Sequence, residues 1–108
     1  MNIQTFLERT AKRANKKHIK FNLDIQWVSE KLSKGICEAT GIEFKLKPSD
    51  TSVNPYYPSI DRIDSSLDYT KDNCQLVIIG FNNLKHTSKT EDLEKFCKGF
   101  VKYVEENK

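Results

Sequence analysis

Asp61, Asn73, Asn82 and His86 are the residues of this chain whose types and spacing suit the handling of a phosphate ester. A metal-dependent phosphodiesterase needs hard oxygen or imidazole ligands for a Mg²⁺-like ion. It also needs a base to deprotonate water and a positive group beside the phosphate. Asp61 lies in Pro58-Ser59-Ile60-Asp61-Arg62-Ile63-Asp64, which reads as a strand with Ile60 and Ile63 as its apolar residues, and it can give the first ligand. Asn82 and His86 are four apart on an expected short helix, so both project from one face as a two-point clamp. Asn73 opens a second strand and is placed to hold the intervening loop, from Asp64 to Asp72, by side-chain hydrogen bonds to the backbone.

Arg62 is the residue that complicates this chemistry. A guanidinium stays protonated throughout the physiological range and takes no proton from water, but it can fork onto a phosphate and stabilise developing charge. The base must then be Asp64, expected on the same face of the strand as Arg62, or His86, or a hydroxide held by the metal. Each residue also has a plainer reading. Asp61 can be a strand-end acid paired to Arg62 or Lys85, Asn82 a helix cap, and His86 an exposed helix residue.

The elements that must position these groups follow from pattern. Residues 3–17 place Ile3, Phe6, Leu7, Ala11 and Ala14 at helical spacing. A second helix over 24–32 would bury Ile25, Val28 and Leu32, with Trp27 on its flank and a stop near Gly35. Residues 36–44 look like a short hairpin or knuckle turning at Gly41, and 45–57, with Pro48 and Pro55, like a loop. Strands are expected over 59–63 and 73–79, the latter apolar enough for burial, with Gly80 bending the chain into a helix over 81–87. A last helix over 91–105, capped by Ser88 or Thr90, carries Leu93, Phe96, Cys97, Phe100, Val101 and Val104 as the stripe that should cover the core.

Composition bounds the partners. The chain of 108 residues is expected to be one domain: a basic helical leader (1–35), a knuckle, loop and strand-strand-helix unit (36–87), and a terminal helix (88–108). Arg9, Lys12, Arg13, Lys16, Lys17 and Lys20 fall in a stretch with no acidic residue, whereas the charge of the whole is only +3. Such a one-sign segment suggests a phosphate-facing surface, with Lys85 a further candidate contact, and a solvated helix face is the plainer alternative. Three cysteines without paired spacing fit free thiols in a reducing cytoplasm. No apolar run approaches a membrane span, and Met1-Asn2-Ile3-Gln4 lacks the layout of a signal peptide.

With these residues in view, the stretch 58–86 resembles the HNH (His-Me finger, ββα-metal) endonucleases, particularly their small phage-type members, and the likeness extends upstream through Phe21-Asn22-Leu23 and Cys37-Glu38-Ala39-Thr40-Gly41. The resemblance implies an α+β fold with a ββα-metal core, two N-terminal helices and a covering C-terminal helix. It implies one Mg²⁺ or Mn²⁺ held by Asp61, Asn82 and His86, DNA as partner, and a phage or prophage origin. Asp61 matches the family's metal-binding acid, Asn73 its loop-bracing Asn, and Asn82 a ligand of its third motif, while Arg62 stands where the family keeps its general-base His. Many relatives carry two CxxC pairs on a structural zinc. Here Thr40 stands three residues after Cys37, where the second Cys of a pair would be, and no second pair exists, which speaks against zinc. The implied function is a metal-dependent DNA endonuclease or nickase. The alternative is a catalytically lapsed module that binds DNA or a protein, a phage-encoded inhibitor among them.

Overall fold

In the computed structural model, which describes residues 1–47 and 54–108, the chain opens with helix α1 (Ile3–Lys16). Its first free N–H groups are met by Asn2, whose side-chain oxygen accepts from the Thr5 N–H at 2.9 Å, a cap worth about 1 kcal/mol. Leu7, Thr10 and Ala14 are its buried residues. Thr10 was not in the expected stripe. It is accommodated because its hydroxyl is donated to the Phe6 carbonyl at 3.4 Å, which removes most of the cost of burying it. Helix α2 (Ile25–Lys34) starts one residue after its cap, Asp24, and stops where Gly35 turns left-handed at φ 71°. Its buried face is Trp27 and Val28, and Ile25, expected inside, is 46 % exposed.

Residues 36–43 form the expected knuckle: Ile36 bridges Glu43, and the Cys37 N–H donates to the Ile42 carbonyl at 2.8 Å. It docks on the sheet through Glu38, which was not singled out in the sequence. The Glu38 N–H donates to the Leu76 carbonyl, and its carboxylate accepts from the Leu76 N–H at 2.8 Å and from Lys31 at 2.9 Å. One glutamate thus covers the otherwise open edge of the second strand. Within the expected 45–57 loop, residues 48–53, Pro48 among them, lie outside the described residues.

The sheet is two antiparallel strands, β1 (Pro58–Arg62) and β2 (Cys74–Ile78), in a register that sets Asp61 opposite Gln75 and Ile60 opposite Leu76. β2 buries Leu76, Val77 and Ile78 in succession because both its faces are covered. Leu76 joins Leu7, Leu23, Trp27, Val28 and Ile60 in one cluster, while Val77 and Ile78 meet Cys37 in another. Helix α3 (Ile79–Lys85) begins two residues earlier than Gly80 suggests. Gly80 lies inside it, and the reason is a close approach: its N–H donates to the Pro55 carbonyl at 2.9 Å, and a Cβ there would meet that oxygen at 3.3 Å.

Helix α4 (Thr90–Glu106) departs from expectation. Leu93 is its one buried residue among those described, Lys89 precedes it without a side-chain cap bond, and Phe96, Phe100 and Tyr103 are 57, 66 and 62 % exposed. It does not cover the core. Periodicity reports that a helix has an apolar face, not what that face meets. The chain is therefore α+β, with four helices and one two-stranded sheet among the described residues. No helix among them is long and apolar enough to cross a membrane.

Candidate functional site

β1, the loop after it and α3 enclose a cleft of about 320 Å³, and Lys17 at the end of α1 forms part of its wall. Asp61, Arg62, Asn82 and His86, four of the residues singled out by type and spacing, line this one cleft together with Tyr69.

Asp61 is the floor. It is 3 % exposed and both its oxygens are engaged. Oδ2 accepts from Gln75 Nε2 at 2.9 Å, across the strand pair, and Oδ1 accepts from the Lys85 ammonium at 2.8 Å. Lys85 also donates to the Arg62 carbonyl at 2.6 Å and is 5 % exposed. Lys85 was expected on the DNA side, and its placement corrects that: the ammonium is buried against Asp61, where solvent cannot screen it. Gln75 is a polar residue in an apolar strand, which is the one sequence signal that could have found it.

Arg62 is held by its neighbours rather than by an acid. Its Nη1 donates to the Leu67 carbonyl at 2.9 Å, and its guanidinium lies 4.9 Å from the centre of the Tyr69 ring. Tyr69 is backed by Phe21 at 5.4 Å, and its N–H donates to the Lys20 carbonyl, so the stack is tied to the segment after α1. Among the described residues the Leu67 carbonyl takes one of the five guanidinium N–H groups, and no carboxylate neutralises the charge.

Asn73 braces the loop as its position implied. Its Oδ1 accepts from the Asp64 N–H at 3.0 Å, and its Nδ2 donates to the carbonyls of Asp64 and Asp68 at 3.0 and 2.9 Å. Replacing Asn73 with Ala removes three hydrogen bonds at once, each worth roughly 1 kcal/mol net. Urea denaturation of Asn73→Ala is expected to show a loss of about 3 kcal/mol, and an unchanged midpoint would mean that the loop holds itself.

Asp64 is not on the strand with Arg62: β1 ends at Arg62, and Asp64 sits in the braced loop and is not among the residues that line the cleft. Its Oδ1 accepts from the Ser66 hydroxyl at 2.6 Å and the Ser66 N–H at 2.9 Å. Those bonds, the hydroxyl first, hold its carboxyl below the usual carboxylate range and weaken it as a base.

Asn82 lies within α3, not at its cap. Its Nδ2 donates to Ser59 Oγ at 2.8 Å and to the Ile60 carbonyl at 3.3 Å, fixing the amide against β1. His86 lies just beyond the end of α3 rather than on it. Its backbone, φ 46° and ψ −119°, is a conformation that favours glycine, held by the Ser88 N–H to Lys85 carbonyl bond at 2.8 Å. A non-glycine residue there carries about 1–3 kcal/mol of local strain. The cysteines give no alternative chemistry: burial pushes the Cys74 thiol up to about 11, so it stays protonated at neutral pH.

The donor set suits a hard divalent ion, with a carboxylate, an amide oxygen and an imidazole bordering one cleft. Among the described residues no three His, Cys, Asp or Glu side chains form a metal-holding group, so the set needs Asn82. The fit also carries a condition, because the Lys85 ammonium already sits on Asp61. Arg9, Lys12, Arg13, Lys16, Lys17 and Lys20 are all exposed. Compared with known proteins, the chain matches no family model, no curated protein and no solved structure. Its residues and their geometry alone therefore bear on what it does.

Proposed function

We propose that this chain is a DNA-binding domain of the HNH, ββα type that hydrolyses a phosphodiester bond with one Mg²⁺ or Mn²⁺. The observation that carries the reading is the convergence of Asp61, Arg62, Asn82 and His86 with Lys17 on one cleft. Asp61 and Asn82 would hold the ion, which when bound polarises the phosphate. Arg62, kept in place by Leu67 and Tyr69, clamps the phosphate with its free N–H donors. With Asp64 not among the residues that line the cleft, His86 is the cleft residue that would act as the general base.

The exposed basic residues of α1 and its end would track the DNA backbone. Each phosphate left without its cation should reduce the salt slope of DNA binding by about one unit. Reversing the charge of Arg9, Lys12 and Arg13 together is expected to flatten the slope of log affinity against log salt by roughly two to three units. A slope that does not change would make this surface a solvated face.

A second reading, DNA binding without cleavage, is favoured by one observation: the ammonium of Lys85 on Asp61. Plasmid cleavage with Mg²⁺ and with Mn²⁺, alongside Asp61→Asn, separates the two. Metal-stimulated nicking that Asp61→Asn abolishes supports hydrolysis. DNA binding with no cleavage under either ion gives the binding module instead.

A further inference from the structure

The ammonium of Lys85 lies between two oxygens, Asp61 Oδ1 at 2.8 Å and the Arg62 main-chain carbonyl at 2.6 Å. A carboxylate and a backbone carbonyl are the oxygen types that a hard divalent cation takes from a protein. Both members of the pair are nearly without solvent, at 3 and 5 % exposure, so the attraction between them is not screened away. The second Asp61 oxygen is held by Gln75, which fixes the carboxylate and prevents it from turning a free edge to the cleft.

We infer that Lys85 is the resident cation of this site: its ammonium fills the place of a divalent ion on Asp61 and the Arg62 carbonyl, and bars that ion from the free chain. The inference rests on the proposed function for its setting, since Asn82 and His86 line the same cleft as Asp61. It adds the Arg62 carbonyl as a ligand and makes Lys85 a positioning residue that acts through Asp61. A divalent ion and the ammonium compete for one charge, so the affinity of each is reduced by the presence of the other.

Mn²⁺ titration followed by electron paramagnetic resonance, without DNA, tests this. Wild type is expected to bind no Mn²⁺ that Asp61→Asn removes. Lys85→Met is expected to gain one Mn²⁺ site at least about tenfold tighter than any in wild type, and its melting temperature to rise with Mn²⁺. The double variant Asp61→Asn/Lys85→Met should lose that site. Lys85→Gln, which keeps a neutral donor, serves if the Met variant does not fold, with circular dichroism as the check. The inference is overturned if wild type binds Mn²⁺ at Asp61 as tightly as the Lys85 variants, or if a folded Lys85 variant gains no site. Cleavage is measured apart from the titration. A gained Mn²⁺ site with no cleavage sinks the endonuclease and leaves Lys85's role intact.

Discussion

Lys85→Ala is expected to lower the unfolding free energy by about 3–5 kcal/mol, the cost of leaving a buried carboxylate without its partner. Asp61 then keeps one neutral donor, Gln75, at a position only 3 % exposed. Domains of this kind hold only about 5–15 kcal/mol in all, so the variant should melt far below wild type. The double variant Asp61→Asn/Lys85→Met is expected to recover more than half of the loss, because it removes the charge along with its partner. Urea titrations of the three proteins at pH 7 measure this directly. A single-variant loss below about 1 kcal/mol would show the pair to be a screened surface contact.

Arg62→Ala should leave the fold nearly intact and weaken DNA binding. The residue is half-buried, and its loss costs one bond to the Leu67 carbonyl and the stack on Tyr69. A charged fork to phosphate is worth about 2 kcal/mol, so affinity for a duplex should fall roughly thirtyfold. Arg62→Lys is expected to recover little, because an ammonium neither forks nor stacks as a guanidinium does. Arg62→His is the informative third variant. An imidazole at the end of β1 supplies a proton acceptor beside Asp61, so cleavage that appears only in Arg62→His would assign wild type to binding alone. Equal affinity for Arg62→Ala and wild type would remove Arg62 from the phosphate site.

The sequence made part of this arrangement legible. Helical spacing found α1 and α2 to within two residues at either end, because each carries a good cap. Asn73's bracing was readable because an Asn entering a strand has few other roles, and its partners are close in the chain. The Lys85–Asp61 pair stood in the sequence only as the plainer alternative, with Arg62 an equal candidate: the two are far apart in the chain, and it is the return of α3 over β1 that brings Lys85 to the carboxylate. The end of α3 was misjudged as well. His86 takes a non-helical backbone, φ 46° and ψ −119°, that ends α3 at Lys85, so it borders the cleft with Asn82 from just beyond the helix rather than on it.

The exposure of α4 has a consequence for motion. A helix of 17 residues docked through Leu93 draws little stability from the body, and an isolated helix of that length is marginal in water. Its amides from Phe96 onward should therefore exchange with solvent by local fraying, while those of β2, buried on both faces, wait for global opening. The tail can melt and re-form many times in the life of one folded molecule without disturbing Asp61 or the cleft above it.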